Sequence, residues 1–132
     1  MSDYAVAVQT SVYNALNGNS SLTSSVSGIY DFVPESTTFP YVKVGDQTMV
    51  DEGTKNKKGS DFTLMVHTFS RYRGSKEIKE IMSLVYDILH ESSLSISGAM
   101  NNMRFEFSDI IKESDGLTTH GVQRFKTFVL TN

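Results

Sequence analysis

A chain of 132 residues with a formal net charge of −3 and no cysteine is sized for one domain, and such a domain buries roughly two thirds of its unfolded surface without a disulfide or metal to hold it. Disulfides and thiolate metal sites are excluded outright, and a near-balanced charge argues against a nucleic-acid binder, which carries its basic excess on one face. Met1-Ser2-Asp3-Tyr4 reads as no secretory leader, and no stretch approaches the ~20 apolar residues of a membrane span.

In chain order, Ser2 or Asp3 is placed to cap a first helix. Ala5, Val8, Val12, Ala15 and Leu16 share one face of it and Gly18 stops it. The Ser-rich run from Asn19 to Ser27 holds Leu22 and Val26 four apart, which suits a short second helix or an ordered turn. Gly28 to Val33 reads as a strand ended by Pro34. Phe39 to Gly45 reads as another, with Pro40 at its start, where a missing N–H is tolerated. Gln47 to Ser60 is polar, charged and punctuated by glycine, and is expected to be a mobile loop or hairpin tip.

From Asp61 to Phe69 the alternation sends Phe62, Leu64 and Val66 one way and Thr63, Met65 and His67 the other. Arg71 to Gly74 turns the chain, and Ser75 is placed to cap a helix in which Ile78, Ile81, Met82, Val85, Ile88 and Leu89 follow the helical period closely. Leu94 to Ile96 is a candidate short strand. Met103, Phe105 and Phe107 alternate in the next one. Glu113 to Gly116 signals a turn, and Val122 to Leu130 forms the last strand, with Gly121 as a candidate bulge. Strands outnumber helices without alternating with them. The fold class expected is α+β: an antiparallel-rich sheet of about five strands, with the N-terminal helix and the long amphipathic helix packed on it.

Chemistry is sparsely signalled. His67, His90 and His120 are widely spaced and form no ligand pair. His67 is expected on the exposed face of its strand and His90 near a helix C-terminus, where a cation suits the dipole. No nucleophile elbow and no phosphate-binding glycine loop is present. Asp51-Glu52 and Glu113/Asp115 are carboxylate pairs in turn-like segments and read as solvated. No catalytic residue, metal site or cofactor is expected. A small hydrolase is the rival reading; it requires a pocket of convergent polar groups, for which the sequence gives no pattern. Two basic clusters remain. Lys55, Lys57 and Lys58 lie in the long loop, and Arg71, Arg73, Lys76 and Lys79 surround the start of the long helix. Either is a solvated surface or a docking surface for an acidic protein partner.

Several segments in one order carry a resemblance: Phe39-Pro40-Tyr41-Val42-Lys43-Val44-Gly45, then Val66-His67-Thr68-Phe69, Ser70 and Gly74 before the amphipathic helix, Leu94 and Gly98 after it, and Asp115-Gly116-Leu117-Thr118-Thr119-His120-Gly121-Val122-Gln123-Arg124-Phe125 at the end. The chain resembles the tail-completion or tail-terminator proteins of long-tailed phages and phage-like particles. Relatives often carry Trp on the strand before the long helix; here Phe69 is expected in that role. The resemblance implies a structural virion protein at the head-proximal end of the tail, present in the host cytoplasm before assembly. It implies a ring of six copies that caps the tail tube, stops its growth and offers a surface for head attachment. The implied partners are further copies of the chain, the major tail-tube protein, a head–tail connector or stopper, and the end of the tape-measure protein, with no sequence-specific nucleic acid and no membrane. The alternative is another head–tail joining protein, an adaptor or stopper. The residues expected at partner interfaces are Asp51, Glu52, Lys55, Lys57, Lys58, Arg71 and Arg73.

Overall fold

The computed structural model describes residues 5–51, 58–90, 99–100 and 103–131. Two helices and one helical turn precede or interrupt six strands. They are α1 (Ala5–Asn17), α2 (Ser20–Thr23), β1 (Ile29–Tyr30), β2 (Tyr41–Asp51), β3 (Lys58–Ser70), α3 (Lys76–Leu89), β4 (Ala99–Met100), β5 (Arg104–Lys112) and β6 (Thr119–Thr131). The sheet runs β1-β2-β3-β6, with both β4 and β5 on the far side of β6. Because β4 meets Val129 and Leu130 while β5 meets residues 119–126, the two share one edge, and the sheet is five positions wide. All pairings are antiparallel except β1 with β2, where Ile29 lies beside Val42. The architecture is α+β.

One face of the sheet carries the core. Val8, Val12 and Leu16, four apart on α1, are fully buried, as that spacing dictates. On α3 the buried set is Ile78, Ile81, Met82, Val85 and Leu89, while Ile88 packs against the core only partly covered. Ile81, Val85 and Leu89 meet Val42, Val44, Leu64, Val66 and Phe125 from the sheet. A smaller cluster of Val8, Phe62 and Val129 extends the core under the other end of β3 and β6. Asn19 caps α2, its side-chain oxygen accepting the Leu22 N–H at 3.0 Å. Ser75 occupies the N-cap of α3 but makes no side-chain cap bond. The first turn is tied instead by Ser70, whose hydroxyl donates to Glu77 at 2.6 Å and accepts the Tyr72 N–H at 3.1 Å. Gln123, buried beneath α3, donates to the Met82 carbonyl at 2.9 Å.

The structure departs from the expectations in five places. β1 is only two residues long, and Asp31 to Val33 leave the sheet. The expected loop from Gln47 to Ser60 is mostly sheet: residues 47–51 finish β2 and residues 58–60 begin β3, which leaves 52–57 between them. Its polar composition misled because a bulge between Gly45 and Gln47, with Asp46 at φ 54°, interrupts the strand alternation. A second bulge, between Phe105 and Phe107, breaks the run Met103-Phe105-Phe107: Phe105 faces the core, while Phe107 turns to the opposite face and is 41% exposed. Gly121 is no bulge. It pairs in regular register with Thr68 and Ile110, and a Cβ there would sit 2.4 Å from the Met82 sulfur, so any larger residue must displace the Met82 side chain where α3 passes close by. His67, expected exposed, is buried to 9% of its surface. The candidate strand at Leu94–Ile96 and the cap at Ser2 or Asp3 lie outside the described residues.

Candidate assembly surfaces

Strand register places Lys43, His67, Val122 and Asp109 in one row on the sheet face opposite the helices, with Tyr41, Phe69, His120 and Ile111 in the next. Tyr41 and Phe69 stack at 5.0 Å and Phe69 and His120 at 4.4 Å, so the rings stand side by side and offer their edges, rather than a flat platform, to solvent. Across the rows runs a polar chain. Asp46 Oδ2 accepts from His67 Nε2 at 2.9 Å, and His67 Nδ1 lies 2.8 Å from His120 Nε2. His120 Nδ1 lies 3.6 Å from Glu113 Oε1. With both rings neutral, the Asp46 bond fixes the proton of His67 on Nε2. His67 Nδ1 must then accept from His120 Nε2, which leaves the Nδ1 lone pair of His120 facing Glu113. Burial, and then the neighbouring His67, hold the His120 pKa below its ordinary value, against the pull of Glu113 and Asp46; Lys43 lowers it further.

At the open end of this face the β5–β6 turn is built by Asp115. One carboxylate oxygen accepts the N–H groups of Leu117 and Thr118, each at 2.8 Å, and the other accepts the Thr118 hydroxyl at 2.8 Å. The backbone donors of Thr118 and Leu117, ahead of the Thr118 hydroxyl and Arg71, hold its pKa down to about 2. Arg71 joins this assembly: Nε donates to the Thr118 hydroxyl at 3.1 Å, Nη2 lies 3.6 Å from Asp115, and the guanidinium sits 4.3 Å over the Phe39 ring. Arg124 Nε is 2.6 Å from Glu106 Oε1 with its N–H poorly aimed at the oxygen, a charge contact rather than a directed bond.

Of the residues expected at interfaces, Arg71 is thus engaged within its own chain while half exposed, and Arg73 is exposed in the bend before α3. Asp51 ends β2 opposite Ser60, and the backbone of Lys58 opens β3. Glu52, Lys55 and Lys57 lie outside the described residues. The structure brings Arg71 to Asp115, a pairing sequence reading left apart. The chain Asp46–His67–His120–Glu113 was missed as well: its two histidines are 53 positions apart, and no local spacing reports a cross-strand neighbour. Among the described residues no group of three or more His, Asp or Glu is arranged to hold a metal ion, and no helix is long and apolar enough to cross a membrane. The grooves are shallow and open. One lies between α1 and β1, lined by Val6, Tyr13, Ile29 and Phe32 among others, and another between α3 and β5.

Comparison with known proteins returns one picture. The family model described as tail completion protein gp17 matches residues 10–130. The tail completion protein gp17 of Bacillus phage SPP1 is 24% identical over 127 residues, spanning 96% of this chain and 93% of that protein. A chain in the virion of a native gene transfer agent particle superposes with a TM-score of 0.89 at 23% identity, covering 97% of this chain and 99% of that one. The structure of the SPP1 gp17 protein matches with a TM-score of 0.61 at 23% identity, covering 96% and 90%.

Proposed function

The chain belongs to the tail completion protein gp17 family, a family of structural virion proteins rather than enzymes, and from that premise we propose that it ends tail growth by closing into a ring of six on the last turn of the tail tube. The other side of the ring receives the head through a connector or stopper protein, and the end of the tape-measure protein meets the ring at the tube. The observation that carries the capping role is the outer part of the β2–β3 hairpin. Thr48 to Asp51 are all exposed, Met49 and Val50 with them at 44% and 54%. This apolar pair leads into the charged run Asp51, Glu52, Lys55, Lys57 and Lys58. Apolar contact beside charge is what a docking arm requires: the one gives affinity and the other register and steering. A ring repeats each weak contact, so several linked arms outcompete the next tube subunit for the tube end.

Particles made without the protein are expected to show overlong or unattached tails beside filled heads. Tails of normal length joined to heads in its absence would defeat the reading. Reversing Lys55, Lys57 and Lys58 together to Glu should leave the fold intact, since their polar, charged run carries little apolar side chain for a core to lose, yet reduce docking on isolated tubes, with the salt dependence of a charge contact.

A further inference from the structure

Two unsatisfied apolar features lie at opposite edges of the sheet, both on its helix-covered side. At the β1 edge, next to α1, Phe32 is 84% exposed, an unusual state for a side chain that gains much by burial. At the β5 edge a groove of about 350 Å³ runs between α3 and β5, with Met82 and Tyr86 on one wall, Phe105 and Ile110 on the other and Lys79 at its rim. Tyr86 there remains 36% exposed although it packs edge-on to Phe105 at 5.1 Å. Asp31 precedes Phe32 in sequence, and among the described residues neither Asp31 nor Lys79 has an ion-pair partner.

We propose that Phe32 of one copy seats in the α3–β5 groove of the next copy, with Asp31 meeting Lys79 at the groove rim. The two features are complementary in shape, an aromatic knob and an aromatic-lined groove, and in charge, an anion and a cation. With β2, β3 and β6 between their edges, one chain cannot satisfy both within itself, whereas copies in series satisfy every knob and every groove. Such a head-to-tail contact is heterologous and closes into a ring when its rotation allows. Burying Phe32 against Tyr86 and Phe105 makes it the anchor, and the Asp31–Lys79 pair selects register. The inference rests on the ring reading above and names the surface that builds the ring.

The chain is free of cysteine, so a disulfide trap has no background. In particles assembled with Asp31→Cys and Lys79→Cys in the same chain, oxidation should yield a ladder of covalent multiples beyond the dimer on a non-reducing gel; neither single variant should pass the dimer. Phe32→Ala should lower incorporation into tails roughly tenfold. Asp31→Lys should also lower it, and adding Lys79→Asp should restore it. Asp31, Phe32 and Lys79 are all exposed, and thermal unfolding of each purified variant checks that the fold persists. If tails carry several copies of the double-cysteine chain at their ends, yet oxidation gives only monomer or dimer and Phe32→Ala incorporates normally, the contact is wrong while the ring stands. If native tails carry a single copy, both fall.

Discussion

Nδ1 of His67 faces Nε2 of His120 across 2.8 Å, so a single proton is shared between two imidazoles, with Asp46 holding the outer nitrogen of His67 at 2.9 Å. A proton added to the remaining site of His120 gains Glu113 but places a cation against His67 in a partly buried row. The folded chain therefore takes up this proton less readily than the unfolded chain, in which His120 titrates near its ordinary 6.5. A folded-state pKa held low means that the unfolded state binds more protons as the pH falls. The associated stability is then present above 6.5 and lost as the pH drops below it toward the lowered value. Urea midpoints measured at pH 8, 6.5 and 5 should decline in that order, and His120→Gln should flatten the decline. A wild-type midpoint unchanged between pH 8 and 5 would count against the arrangement.

A second acid loss belongs to Asp115. Its carboxyl is held at about 2 in the fold against 3.8 ordinarily, so its contribution is complete above 3.8 and disappears as the pH falls toward 2. Asp115→Asn keeps an oxygen for the Leu117 and Thr118 N–H groups and should preserve the turn while removing this step from the acid unfolding curve. Asp115→Ala should remove the step and loosen the turn, seen as faster amide exchange at Leu117 and Thr118.

Gly121→Val should destabilise by about 1–3 kcal/mol, the usual cost of overpacking. The new carbon would fall 2.4 Å from the Met82 sulfur and 3.2 Å from Ile78 Cδ1. Shortening the obstacle with Met82→Ala in the same chain should make the pair less costly than the sum of the single changes. Strict additivity in thermal or urea unfolding would place α3 elsewhere.

Ile81→Ala should cost about 2–5 kcal/mol, because the side chain is 2% exposed among Val42, Leu64 and Phe125. Glu80→Ala, its exposed neighbour on α3, should stay within about 0.5 kcal/mol. Similar values at the two positions would mean that α3 presents a different face to the sheet.

Where periodicity runs uninterrupted, the sequence is a faithful guide. The α3 pattern from Ile78 to Leu89 is buried as its spacing requires except at Ile88, which is only partly covered, and Phe62, Leu64 and Val66 point inward together. Asp115-Gly116 marks its turn correctly, with Gly116 at φ 73°. Failures collect where one inserted residue changes the phase or where a neighbour comes from a distant strand. Asp46 hides the second half of β2, and Glu106 moves Phe107 off the face that Phe105 occupies. Gly121 looks like a strand interruption in one dimension, yet what crowds it is the Met82 side chain of a helix crossing overhead. The exposed Phe32 carries no local mark at all, since burial is a property of the folded surface.

The two bulges also bear on which genetic changes the chain tolerates. Along β2 the helix-side positions are 42 and 44, then 47 and 49, as their pairing with Thr68, Val66, Leu64 and Phe62 shows. Removing the codon for Asp46 would take out only the extra residue of the bulge and leave every later residue up to Asp51 on the side it already occupies. Gln47 and Met49 would still share the side of Leu64 and Phe62, and Thr48 and Val50 the side of Thr63 and Asp61. Deletion of Asp46 costs the bulge and the Asp46 contact with His67, whereas a single residue inserted after Gln47 reverses inside and outside for the rest of the strand. A one-codon deletion at Asp46 or Glu106 is accordingly a milder lesion than a one-codon insertion in the regular part of either strand, and a compensating deletion must fall in the same strand to repair such an insertion.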